Sequence, residues 1–363
     1  MNKNNGKAIV EEVVVLTLEE KAELKAQRKR DISEFLISYS LYILLAVFIV
    51  FVTIMRPRFV SINSIVNIVT QTAFRLPIAL GVGGIIVLTG TDLSAGRIIG
   101  LTAIVTASLL QRSNYPNIMY ENLANNPMPI LLVLLIVIIV GGIFGAFNGF
   151  FVAKFKLHPF IVTLSTQLIV YAISLQYIQL GKNNGQPVGG LRDDFSQKII
   201  GSVSIFGVNI QFLVFYAIIL VALMWFIWNK TVIGKNMYAV GCNPEAANVS
   251  GISVFKTIMT VFIMAGMLYG INGFFTSAYV GSNNAATGVN FELDAIAACV
   301  IGGVSFSGGV GKIKGVVIGV FLLQLITASF IFLGVDANLQ YAIKGLVILL
   351  ATSIDMRKYL VRK

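Results

Sequence analysis

The residues best suited to chemistry lie where an apolar run breaks up into glycine. Between Asp294 and Lys312, residues 295–311 carry no charge, yet five are Gly and two, Ser305 and Ser307, are Ser. Glycines beside a lysine are what a phosphate-cradling loop requires, in the pattern G-x-x-x-x-G-K-[ST]. With Gly311 and Lys312 in register, the pattern fails twice: Phe306 stands where the first Gly belongs and Ile313 where the hydroxyl belongs. No strand, G-x-G-x-x-G and helix follow one another elsewhere, so the chain itself is expected to bind no ATP, dinucleotide or other cofactor. The single histidine, His158, precedes Pro159 without a partner for proton transfer and reads as a turn residue. Cys242 and Cys299 lie far apart, one in a polar loop and one in an apolar run. They make no metal pattern, and no disulfide is expected. The chemistry that remains is that of a pathway, not of a catalyst.

Charges inside apolar runs are the sharper signal, because an ionised group in a membrane is expensive unless paired or hydrated. Asp92 and Arg97 stand in a second glycine-broken stretch, residues 90–100, with the spacing to neutralise each other across a turn. Glu292 and Asp294 enter one apolar run and Lys344 enters another from the same side. A pair between Lys344 and Asp294 or Glu292 is expected to hold these runs together, the competing reading being Lys344 snorkelling to headgroups. Paired glycine-interrupted segments in the two halves of a chain point to a transport site. The pathway candidates are therefore Asp92, Ser94 and Gly96 at the first break and Ser305, Ser307 and Gly308 at the second. Asn272 and Gln324, polar residues inside neighbouring apolar runs, complete the set. Close packing through small residues competes with this reading, since Gly311, Gly315 and Gly319 recur at the four-residue spacing that lets helices approach.

The elements that must position these residues are membrane helices. Of 363 residues, 56% are hydrophobic and 12% charged, against about 25% charged in a soluble domain. The net charge of +11 is spread between apolar runs and not gathered in one aromatic-rich patch, which excludes nucleic acid and fits membrane orientation. Residues 1–34 are polar and read as a short helical extension, with a basic cluster at Lys25, Arg28, Lys29 and Arg30, and no cleavable signal peptide is expected. Residues 35–363 read as an all-α, polytopic membrane domain of about ten spans, broken at 90–100 and 303–315. Gly141, Gly145 and Gly149 form a small-residue row in the fourth span, and Pro77 interrupts the second. With both termini placed in the cytoplasm, 19 of the 27 Lys and Arg fall on that side, Arg97 among them, so both ends are expected inside. The loop at 281–294, with Ser282, Asn283, Asn284 and Asn290, then faces outward.

The loop at 229–256 holds small polar residues and helix formers: Asn243 can cap, Pro244 can take the first helical position, and Glu245, Ala246 and Ala247 favour a short helix ending near Ser250 and Gly251. Three segments, TGTDLSAGR at 89–97, GKNMYAVGCNPEAANVSGI at 234–252 and ELDAIAACVIGGVSFSGGVG at 292–311, resemble the permease subunits of bacterial ribose/galactose-type ABC importers. Within that family the likeness is to the galactose/methyl-galactoside type, and it covers the chain from about residue 35 onward. The resemblance implies a homodimer in the cytoplasmic (inner) membrane, beneath an extracytoplasmic sugar-binding protein and above a cytoplasmic tandem ATPase that uses ATP and magnesium. It also implies that 229–256 carries the coupling helix. Ribose or xylose remain alternatives for the sugar. An ion-coupled secondary transporter is the rival class, with Asp92 as the one fair candidate for ion coupling.

Overall fold

The computed structural model describes residues 45–360. The expected N-terminal extension, residues 1–34, and residues 35–44 of the first span lie outside the described residues. The chain divides into two compact units, residues 1–47 and residues 48–363. Of the first, only 45–47 are described, as the start of helix α1 (Leu45–Met55); the second holds everything that follows.

A 3-10 turn (Pro57–Val60) leads into α2 (Ile62–Val87). Ser61 caps α2, its hydroxyl accepting from Ser64 N at 3.3 Å, and the helix continues through Pro77. Next come α3 (Ala95–Leu109), the short α4 (Glu121–Asn125), α5 (Ile130–Phe155) and α6 (Pro159–Tyr177). His158 caps α6, with Nδ1 accepting from Phe160 N and Pro159 in the first turn. After α7 (Asp193–Ile200), strands β1 (Ser202–Ile205) and β2 (Val208–Gln211) form an antiparallel hairpin, a local exception to the all-α expectation. The physical reason is period-two alternation: Val203 faces Ile210 and Ile205 faces Val208, around a turn at Phe206 and Gly207 with positive φ.

The remainder is α8 (Phe212–Lys230), α9 (Val232–Cys242), α10 (Pro244–Val249), α11 (Val254–Val280), α12 (Phe291–Ile301), α13 (Ile313–Leu333) and α14 (Ala337–Leu360). Among the described residues, α2, α5, α6, α8, α11 and α13 are long and apolar enough to cross a membrane. The apolar window of α2 is 67% buried and that of α8 is 22% buried, so α2 is the helix the others pack around and α8 shows most of its surface to its surroundings.

Glycine sets the closest packing. A Cβ at Gly141 of α5 would lie 2.1 Å from Gly266 O of α11, and one at Gly270 of α11 would lie 2.2 Å from Val137 O of α5. Both helices are thus bare where they meet, and backbone touches backbone.

Two of the helices expected as spans are too short to cross. At about 1.5 Å per residue, α3 with 15 residues and α12 with 11 reach only about 22 and 16 Å, against a hydrocarbon core of about 30 Å. They meet instead in the interior. Gly96 at the start of α3 abuts Gly288 and Glu292 at the start of α12, and Arg97 Nη1 donates to Ala285 O at 2.8 Å. The sequence reading set Arg97 and the 281–294 loop on opposite sides of the membrane; the structure brings them into contact, because each half-length helix leaves room for the segment before the other.

Candidate functional site

At the first break the backbone leaves helix geometry between α2 and α3, and its polar groups find partners on neighbouring helices. Asp92 is buried, and its Oδ1 accepts from Ser94 N at 2.9 Å and from Ser94 Oγ at 2.6 Å. Asn148 Nδ2 of α5 donates to Ser94 Oγ at 2.9 Å, and Thr166 Oγ1 of α6 donates to Asn148 Oδ1 at 2.6 Å. Leu93 N donates to Thr163 Oγ1, also on α6. A carboxylate, three hydroxyls and an amide therefore pin the broken stretch to α5 and α6, partners of the kind irregular backbone at membrane depth requires. Asp92 and Arg97 form no ion pair; the Arg97 guanidinium lies 4.3 Å from the Tyr171 ring centroid and donates to Ala285 O. Asn148, Thr163 and Thr166 were missed from sequence, since Asn148 stands inside the Gly141, Gly145 and Gly149 row that reads as packing and the two threonines carry no charge to mark them.

The second break, between α12 and α13, closes on itself and on the first. Ser305 N donates to Val310 O, Gly308 N to Ser305 O, and Ser307 N to Ser305 Oγ. Gly309 N donates at 2.8 Å to Val87 O, a carbonyl that the end of α2 leaves without a helical partner. Gly308 has φ +81°, and a Cβ there would lie 2.3 Å from both Gly241 O and the Thr89 methyl. The two breaks and the end of α9 are thus one packed joint. Tyr238 of α9 strengthens it, its hydroxyl donating to Gly311 O at 2.8 Å. Burial pushes the Tyr238 phenol above its ordinary pKa, so it remains a donor.

Beside that joint stands the expected short helix. Asn243 Oδ1 accepts from Glu245 N at 2.9 Å and Ala246 N at 3.0 Å, and Pro244 opens α10. Ala247 is buried while Glu245, Ala246 and Ser250 are exposed. Ser250 Oγ returns to Ala246 O, and Gly251, at φ +83°, ends the helix with Ile252 N donating to Ala247 O. The sequence reading missed α9, which precedes α10. Its signal was present in the buried set Gly234, Met237, Val240 and Gly241, spaced three, three and one, behind the Thr231 cap.

The remaining candidates separate. Asn272 is wholly buried, its Nδ2 donating to Phe74 O at 2.6 Å, so it ties α11 to α2. Gln324 of α13 borders a small cavity shared with Arg75 and Asp294. Lys344 Nζ lies 3.0 and 3.3 Å from the two Asp294 oxygens, joining α14 to α12. Glu292 is buried against Gly96. Among the asparagines of the 281–294 loop, Asn283 is fully buried and exchanges two backbone hydrogen bonds with Val188, whereas Asn284 is exposed. The described residues hold no cluster of His, Cys, Asp and Glu that would bind a metal.

Long apolar helices around two glycine breaks, with a capped helix displayed beside them, fit a multi-pass membrane permease. Residues 64–352 match the family described as branched-chain amino acid transport system / permease component, and the chain belongs to it. It is a transport component and not an enzyme. The galactose/methyl galactoside import permease protein MglC of Escherichia coli is 42% identical over 94% of this chain and 100% of the relative. The MglC of Haemophilus influenzae is 38% identical over the same shares. The ribose import permease protein RbsC of Bacillus subtilis is 30% identical over 86% of this chain and 91% of its own length. No solved structure matches this chain.

Proposed function

We propose that this chain is the membrane-spanning subunit of an ATP-driven importer for a small neutral sugar, with galactose and methyl galactoside the favoured cargo. The observation that carries the reading is the 42% identity to a galactose/methyl galactoside import permease along that protein's whole length; ribose permeases stand further off, at 30 to 32%.

In this reading residues 35–363 form the permease domain, residues 1–34 a cytoplasmic extension, and both termini face the cytoplasm of a bacterial inner membrane. The ten apolar segments comprise full-length helices and the two half-length ones, α3 and α12. Two copies form the pathway beneath an extracytoplasmic sugar-binding protein. A separate cytoplasmic ATPase holds the ATP and magnesium.

Coupling runs through α10. Its exposed residues Glu245, Ala246 and Ser250 are the surface offered to the ATPase, while Asn243, Pro244, Ala247 and Gly251 fix the helix to the chain. Movement of α10 passes through α9 to the joint of Gly241, Val87, Gly308 and Gly309, and so reaches both breaks together. Asp92, Ser94, Gly96, Ser305, Ser307 and Gly308 then act as the hinge region of the pathway. A ligand shifts such an equilibrium only through a differential contact in the two states, which here is the ATPase grip on α10.

The test is uptake of labelled galactose by cells carrying the importer. ATP depletion is expected to abolish it, and collapse of the proton and sodium gradients with ATP maintained is expected to leave it. The reverse pattern would establish an ion-coupled transporter in place of this reading.

A further inference from the structure

Arg75, Asp294 and Gln324, from three different helices, line one cavity, Lys344 from a fourth joins them through Asp294, and the group does not balance. Asp294 of α12 is the only carboxylate that Lys344 of α14 and Arg75 of α2 bridge to among the described residues. Lys344 takes both of its oxygens, at 3.0 and 3.3 Å, while Arg75 Nη1 stays at 4.0 Å. Arg75 Nε and Nη1 are consequently buried without a hydrogen-bond acceptor. The guanidinium rests 3.7 Å from the centroid of the Phe291 ring, which holds the group in place but accepts none of those protons. Gln324 of α13 brings an amide to the same cavity, whose other walls include Ile78, Ala298 and Leu323.

A staple between α12 and α14 needs only Asp294 and Lys344. It does not need a second cation with unspent donors, nor an amide at the cavity wall, placed where desolvation is costly. Resting on the sugar-importer reading, we propose that Arg75, Asp294, Gln324 and Lys344 are the contact site inside the permease for a neutral polyhydroxylated solute in transit. A hydroxyl group accepts from Arg75 or Lys344 and donates to Asp294 or to the Gln324 carbonyl, so a polyol satisfies both kinds of partner at once. An anion would meet the cations and the Gln324 NH2 but would also face the Asp294 carboxylate, and without a hydroxyl it has nothing to donate to Asp294 or to the Gln324 carbonyl. The apolar walls, Ile78, Ala298 and Leu323 among them, suit the C–H face of a sugar ring. The free space measures about 10 Å³, room for one water at most. The site is therefore shut in this conformation and takes solute only when α2, α12, α13 and α14 part.

The experiment uses the whole importer, with its ATPase and sugar-binding protein, in proteoliposomes, and reads labelled galactose moved per ATP hydrolysed. Gln324→Met keeps the volume and removes the amide; Arg75→Lys keeps the charge and removes the fork. Each is expected to lower the ratio, Gln324→Met at least tenfold and Arg75→Lys severalfold. A ratio equal to wild type in Gln324→Met, whether both rates are normal or both fall together, marks a structural prop and overturns the proposal; so does a wild type that carries a sugar acid in preference to galactose. If Arg75→Lys does not assemble, Gln324→Met decides alone. If Gln324→Met does not assemble, Gln324→Cys in a Cys242→Ser background replaces it, with sugar expected to protect it from maleimide during turnover; labelling indifferent to sugar overturns the proposal. Wild-type importer without ATP-dependent uptake would instead contradict the importer reading itself, and the two failures are thereby told apart.

Discussion

Asn243 shows how one side chain shapes a contact surface. Its Oδ1 satisfies two of the N–H groups that open α10, and a helix of six residues has almost no internal hydrogen bonding to fall back on. Replacing such a cap by alanine costs about 1 kcal/mol. Asn243→Ala is expected to fray α10 and lower sugar uptake severalfold without loss of membrane insertion, while Asn243→Asp, which keeps the acceptor, retains most of it. Uptake by vesicles at matched protein level checks this; equal uptake by both variants would mean that α10 is not held by its cap. Asp294 makes the complementary point. Its partner Lys344 could be guessed from two charges in neighbouring apolar runs, but Arg75 could not, because nothing in its local sequence separates a buried cation from one at the membrane surface.

At the scale of elements, the pair α5 and α11 is the firmest test of the packing. A valine at Gly141 would drive its Cβ to 2.1 Å from Gly266 O, and neither backbone has a flexible atom to give way. Overpacking a core costs typically about 1–3 kcal/mol, so Gly141→Val is expected to lower the detergent-solubilised melting temperature by several degrees, whereas Gly142→Val, whose Cβ would meet only the Met267 side chain at 3.3 Å, is expected to change it less. Equal shifts would contradict the contact. The joint gives a functional counterpart. A Cβ at Gly241 would lie 2.0 Å from Val87 O, so Gly241→Val wedges α9 away from both breaks, and at least a tenfold loss of uptake is expected with ATP hydrolysis persisting; near-normal uptake would show that the joint transmits nothing.

Helix existence was legible where caps speak for themselves: the short helix expected behind Asn243, with Pro244 first and an end near Ser250 and Gly251, is α10. The small-residue row in α5 was legible too. The meeting of α3 with α12 was not, because a ten-span layout treats every apolar run as a crossing and sequence gives no depth. The helix α9 was hidden by its polar surroundings, and the hairpin by its shortness, four residues a strand.

For the molecule as a whole, the account reduces to a gate that owns no fuel. Its glycine-broken segments are tied to one another through Val87 and Gly309 and to α9, which leads into α10, through Gly241, so a push at α10 has a packed route to both breaks. That route matters only if an ATPase reaches α10 from the cytoplasm. The most direct measurement places a single reactive thiol there, Glu245→Cys in a Cys242→Ser background, and asks what it cross-links to in inside-out and right-side-out vesicles. The account predicts labelling by an impermeant maleimide in inside-out vesicles alone, and a cross-link to the copurifying ATPase whose yield changes with ATP. Labelling from the opposite face, or a thiol that no second protein can reach, would contradict it.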